Sequence, residues 1–211
     1  MIKPTLKEEL INSITHGLGA LLGIAGTAVA IVWAALFGNA YSVVSAAIYG
    51  ATLIILYTMS TLYHAITNET AKKVFRVFDH CSIFLLIAGT YTPFTLVTLN
   101  GALGWTLFGI IWGFTLLGVA LNAVSLEKFK VFSMICYIAM GWLIIIAAKP
   151  TVAALGWGPV MLLLFGGISY TVGVIFYGLK IRYMHGIWHL FVLAGSVLHY
   201  FCILLYVLPT A

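Results

Sequence analysis

His185 and His189 stand four residues apart in the run Met184-His185-Gly186-Ile187-Trp188-His189. On a helix that spacing puts both imidazoles on one face, one turn apart, where they can reach a single metal ion. The residues that follow, Leu190 to Leu208, are almost wholly apolar. The pair therefore sits at or just inside the edge of a membrane, where ionisable groups are expensive and mark function by default. Ser60 and His64 repeat the four-residue spacing. Together His64, His185 and His189 offer three neutral nitrogen ligands. Zinc held by three protein ligands, with a fourth position open to water, is the catalytic pattern rather than the structural one. Bound water then titrates near pH ~7 and supplies hydroxide under neutral conditions. Asp79 is the candidate to hold that water, as a fourth contact or as a general base. Ser60 is the hydroxyl that would orient the His64 ring or share its water.

Plainer roles compete with these. His185 and His189 could be interfacial histidines beside anionic lipid. Asp79 could pair with Arg76 or Lys73 at the surface. Lone histidines at helix ends, such as His16 and His80, are commonly interfacial. His80 follows Asp79 directly, so it points about 100° away, toward a neighbouring helix. His199 lies ten residues beyond His189, about 15 Å deeper along the same helix, and cannot ligate the same ion. A hydrogen bond across helices is its expected role, with an opening to the outer leaflet as the alternative.

The elements that must position these residues are membrane spans. Of 211 residues, 63% are hydrophobic and 7% charged, which places an all-α, integral membrane protein well ahead of any soluble class. The net charge is +5, but the basic residues lie in short runs between apolar segments. They form no nucleic-acid patch, and no nucleic-acid partner is expected. Cys81, Cys136 and Cys202 fall in three different apolar segments, which argues against a disulfide framework. Seven spans are expected at 12–37, 41–66, 75–98, 101–122, 131–148, 154–177 and 185–208, forming a single membrane domain over residues 1–211, with no soluble domain before or after them. Each is long enough, or nearly so, to cross a hydrocarbon core of ~30 Å. The alternate loops carry Lys3, Lys7, Lys72, Lys73, Arg76, Lys128, Lys130, Lys180 and Arg182, and the opposite side only Lys149. This asymmetry predicts a cytoplasmic N-terminus and an outside C-terminus. Topology then brings the polar ends of four spans, with His16, Ser60, His64, Asp79, His80, His185 and His189, to one depth near the inner leaflet. Gly19 with Gly23, and Gly109 with Gly113, are small-xxx-small pairs expected at close helix contacts. Asn12, His16, Gly19 and Gly23 share one stripe, and Pro93 predicts a kink in the third span.

These residues carry a resemblance. Ser60-xxx-His64, the run Phe78-Asp79-His80 leading to Ala88-Gly89-Thr90-Tyr91-Thr92-Pro93-Phe94, and His185-xxx-His189 resemble the motifs of the hemolysin III branch of the progestin and adipoQ receptor family. The opening Glu8-Glu9 with Asn12-Ser13-Ile14-Thr15-His16-Gly17 is similar to the bacterial members. The resemblance implies a seven-helix bundle in the bacterial cell (inner) membrane. It implies zinc at the counterparts of His64, His185 and His189, with Asp79 and Ser60 nearby. Related animal receptors are linked to hydrolysis of ceramide, a lipid amide. The bacterial branch carries a haemolytic label, with some members tied to membrane homeostasis. The chain differs from the animal receptors in lacking a long N-terminal domain, so a soluble protein hormone is not expected as a partner.

Three functions follow as expectations. The first is a zinc-dependent hydrolase of a lipid amide or ester, with membrane lipid as substrate and lateral entry near the inner leaflet. The second is a non-enzymatic regulator in which zinc locks spans two, three and seven together. The third is a haemolysin-type pore. A pore ranks last because polarity clusters on the cytoplasmic side, whereas a channel lines its full depth.

Overall fold

A computed structural model describes residues 4–209, and Lys3 lies outside the described residues. The chain is helical throughout, with no strand among the described residues. Helix α1 runs Leu6–Phe37, α2 Ala40–Ala65, α3 Glu69–Pro93, α4 Gly101–Gly141, α5 Ala148–Leu155, α6 Trp157–Gly178 and α7 Met184–Cys202. Six helices are long and apolar enough to cross a membrane: all but the eight-residue α5, which continues α4.

Local chemistry sets the helix starts. Thr5 and Glu8 form a capping box, each side chain meeting the other's backbone N–H, so α1 begins before the position 12 expected from hydropathy. Asn39 caps α2 through Ser42 N, and Asn68 caps α3 through the N–H groups of Thr70 and Ala71. Beyond Pro93, α3 relaxes into a π-helical stretch over Phe94–Leu99. This is a loosening where proline lacks its backbone donor.

In α4 the backbone is extended at Ser125 (φ −163°, ψ 97°). Ser133 Oγ donates to Asn122 Oδ1 across 2.7 Å. In an unbroken helix those residues would stand about 16 Å apart, so the chain reverses at Ser125 and α4 is a hairpin of two antiparallel arms. This accounts for the single long helix where two segments, 101–122 and 131–148, were expected. Both arms pack on α3. Thr115 donates to Phe84 O in the first arm, and Tyr137 donates to His80 O in the second.

The other contacts run α6–α7–α1–α2–α3 around a bundle. Asn12, His16, Gly19 and Gly23 are all buried, as their shared stripe predicts. A Cβ at Gly19 would overlap the Tyr57 ring, so a small residue is required for α1 to approach α2 this closely. Gly109 and Gly113 depart from expectation. Both are exposed, and among the described residues nothing lies within 4 Å of a Cβ built on either. The face of α4 turned to α3 carries Leu107, Ile111, Thr115, Gly118 and Asn122 instead. The three cysteines are free.

Candidate metal centre

Three helix ends and one loop build the site at the end of the bundle where α1 begins. His64 comes from the last turn of α2, and His185 and His189 from the first turns of α7. One ring nitrogen from each of the three lies within 4.8 Å of the others. His64 Nε2 and His185 Nε2 are 3.2 Å apart. Two imidazole nitrogens bound to one tetrahedral zinc at ~2.0–2.1 Å stand about 3.3 Å apart, so the spacing fits a shared ion.

In two of the three, the outward-facing nitrogen is held as metal-ligating histidines require. His64 Nδ1 donates to Glu9 Oε2 at 2.6 Å, and Glu9 Oε1 also takes Lys72 Nζ at 2.8 Å. His189 Nδ1 faces the Asn12 carbonyl at 3.2 Å and Thr15 Oγ1 at 3.3 Å. The Thr15 hydroxyl gives its own proton to Ile11 O or Asn12 O, so His189 Nδ1–H is the donor in both contacts. With Nδ1 protonated in His64 and His189, Nε2 of each keeps its lone pair for the shared position.

Glu9 was not among the residues singled out from sequence. It stands ahead of the apolar run and reads as a solvated charge. Besides its place in the Glu8-Glu9 opening that resembles the bacterial members, its signal is periodic: Glu9, Asn12, His16, Gly19 and Gly23 recur at three- and four-residue steps, one helical stripe. Glu8, beside it, serves α7. Its Oε1 accepts Tyr183 N at 2.9 Å, holding the residue that precedes α7 in a left-handed conformation (φ 65°). The segment bearing His185 is thereby tied to α1.

His16 is not interfacial. It is buried and stacked flat on His189, with ring centroids 3.5 Å apart and planes 11° apart, and it meets the Tyr57 ring edge-on. Neither of its ring nitrogens has a hydrogen-bond partner among the described residues. His80 does face a neighbouring helix: its Nε2 lies 3.4 Å from Tyr177 Oη of α6, and its Nδ1 2.9 Å from Arg76 O. Arg76 is engaged by Glu127, across the bundle end from α4. Asp79 lies 3.6 Å from His80 Nδ1.

A cavity begins at this cluster. Ser60, Asp79, His16, His185 and His189 line one end, and Thr90, Tyr91, Gly141 and His199 the other, with apolar side chains such as Leu56, Ile83 and Val192 between. Ser60 is buried one turn before His64. Asp79 shares the cavity but is not one of the three grouped ligands. His199 is buried and reaches across to Leu163 O of α6 at 3.0 Å, the interhelical bond expected of it.

The chain is similar over most of its length to bacterial and animal proteins. It is 49% identical over 207 residues to Hemolysin-3 of Bacillus cereus, covering 98% of this chain and 94% of that protein. It is 46% identical over 203 residues to the Hemolysin-3 homolog of Bacillus subtilis (strain 168), covering 96% and 95%. The human monocyte to macrophage differentiation factor is 29% identical over 211 residues, covering 95% and 85%. Bacterial relatives and six membrane-length helices make this a multi-pass protein of the bacterial cell membrane. The haemolysin-III-related family pattern matches residues 5–200, and the chain belongs to that family.

Proposed function

We propose that the protein is a zinc-dependent hydrolase of a lipid amide or ester, with its site near the inner leaflet. The observation that carries this reading is the convergence of three imidazole nitrogens at the polar end of an apolar cavity. In this reading the reversal at Ser125 divides α4 into two crossings, giving seven spans, and the basic loops set the N-terminus in the cytoplasm. His64, His185 and His189 hold the ion. Glu9 and the Asn12 carbonyl keep the ligand nitrogens turned inward. When bound, zinc supplies Lewis-acid polarisation and an activated water.

The chain's own side chains do the rest. The apolar walls take up the acyl chain and place the amide or ester carbonyl at the histidine cluster. Asp79 takes the proton, and Ser60 orients the reacting end from one turn above His64. Lipid enters laterally, between helices. The test is release of free fatty acid from an N-acyl sphingoid lipid and from a matched ester, followed by mass spectrometry. Wild type is expected to turn over one of them, and Asp79→Asn to lose at least ~100-fold in rate. Equal release by both proteins contradicts the assignment of Asp79, and no release by wild type contradicts the hydrolase.

One feature favours a second reading, a non-enzymatic regulator of membrane state. Glu9, His64, Lys72 and the α7 histidines tie α1, α2, α3 and α7 at one point, so ion binding there would lock the bundle end. Zinc-dependent stability without turnover distinguishes this reading from the first.

A further inference from the structure

Two rings meet at the far end of the cavity. Tyr91 of α3 reaches across to the end of α4, where its Oη donates to Gly141 O at 3.2 Å and accepts Ile144 N at 2.7 Å. His199 of α7 reaches to α6, where its Nε2 meets Leu163 O at 3.0 Å. Both residues line the cavity that begins at the histidine cluster. Both also line a second, smaller cavity, whose further walls are Phe94, Ile144 and Leu163, and none of these three borders the first. The two rings therefore stand as a partition between two apolar spaces, each ring tied to backbone groups of the helix opposite. Tyr91 is the larger of the two, and its hydroxyl is committed to both of its bonds. What it contributes to the partition is the bulk of an aromatic ring.

Distance says what the partition would stop. From the histidine cluster the lining advances ten residues on α7 (His189 to His199) and eleven on α3 (Asp79 to Thr90), about 15–17 Å. An extended hydrocarbon chain advances about 1.25 Å per carbon, so this depth takes roughly twelve to fourteen carbons. Beyond the partition, the second cavity continues from Tyr91 to Phe94 on α3, three residues or about 4.5 Å further. That is space for roughly four more carbons.

We infer that Tyr91 sets the length of the acyl chain this protein accepts, at roughly twelve to fourteen carbons counted from the carbonyl. The ligand class is a lipid with a medium-length acyl chain, held carbonyl-first at the histidine cluster with its methyl end against the Tyr91 ring. This rests on the reading that places the carbonyl at that cluster, and it adds chain-length selectivity to it. Removing the ring joins the two cavities and lengthens the chain that fits.

The experiment is displacement of a fluorescent fatty acid from the full-length, detergent-purified protein by decanoic, dodecanoic and hexadecanoic acids. The ratio of variant to wild-type affinity is taken for each acid, so that partition into the micelle cancels. Tyr91→Ala is expected to hold the two shorter acids within about twofold of wild type and to bind hexadecanoic acid at least about tenfold more tightly, through relief of an overpacked chain end. Tyr91→Phe keeps the ring and loses both hydroxyl bonds, and is expected to match wild type for every acid. Tyr91→Leu removes less of the ring, is expected to show a smaller gain for hexadecanoic acid, and decides the case if Tyr91→Ala does not fold. No gain for hexadecanoic acid in the folded variants that lack the ring overturns the inference. So does an equal gain in Tyr91→Phe, which would trace the effect to loosened helices, and so does failure of all three acids to bind wild type. Release of fatty acid from the lipid amide and ester is scored separately on wild type: a length limit set by Tyr91 without turnover keeps the inference and contradicts the hydrolase.

Discussion

Glu9 and His64, 55 positions apart in sequence, meet at 2.6 Å between Oε2 and Nδ1. This contact joins the first turn of α1 to the last turn of α2 and fixes which nitrogen of His64 faces the other histidines. A carboxylate behind a metal-ligating imidazole sets its tautomer and raises its basicity. Glu9→Ala is therefore expected to weaken zinc binding by about 10–100-fold, read by competition with a chromophoric chelator. Glu9→Gln keeps an acceptor and is expected to fall between the two. Unchanged affinity in Glu9→Ala would contradict the role given to this carboxylate.

His16 supports His189 from the other side through a flat stack. Removing the ring in His16→Ala leaves a void against His189 and Tyr57, and is expected to cost about 2–4 kcal/mol. His16→Phe keeps the stacked surface and is expected to recover most of that loss. Thermal unfolding in one detergent compares the two. Equal destabilisation would mean that the nitrogens of His16, rather than its surface, hold the fold together.

Two glycines on small-xxx-small pairs separate packing from spacing. Gly19 faces the Tyr57 ring with no room for a Cβ, whereas Gly113 faces open space. Gly19→Val is expected to destabilise by about 1–3 kcal/mol through overpacking. Gly113→Ala is expected to be neutral or stabilising by up to ~1 kcal/mol, since alanine is the better helix former. Melting temperatures of the two variants that shift by the same amount would contradict the α1–α2 packing described above.

The grouping of His64, His185 and His189 was legible because helical spacing and alternating topology act together. Ser60, His64, Asp79, His185 and His189 each fall near an end of an expected span, and Ser60, Asp79, His185 and His189 line one cavity. Glu9 and the stack of His16 were not legible. Both depend on how α1 is rotated against α2 and α7, which hydropathy does not encode. Gly109 and Gly113 show the same limit, since a four-residue spacing defines a stripe without saying which neighbour it faces. The reversal at Ser125 falls in the polar stretch between the expected segments 101–122 and 131–148, whereas the helical conformation that continues up to it on both sides was not legible. Nor is buried polarity confined to one end, as composition suggested. Ser42, Ser45, Tyr49 and Thr52 form a buried stripe along the rest of α2. They are packed and do not line the cavity that begins at the histidines.

The salt bridge between Arg76 and Glu127 ties α3 to the reversal in α4, but the Glu127 side chain is 68% exposed. Such a pair is worth at most ~1 kcal/mol. Arg76→Gln is expected to leave both stability and metal affinity within error of wild type. A loss of metal in this variant would mean that Arg76 acts on the site through Asp79 or His80.

The central claim is that His64, His185 and His189 hold one ion between them. Its most direct test is the metal content of detergent-purified protein, prepared without chelator and measured by elemental mass spectrometry, for wild type and His189→Ala. About one zinc per chain in wild type, and its loss in His189→Ala, is the expected result. A wild-type protein without bound metal, or a His189→Ala variant that keeps it, would contradict the account.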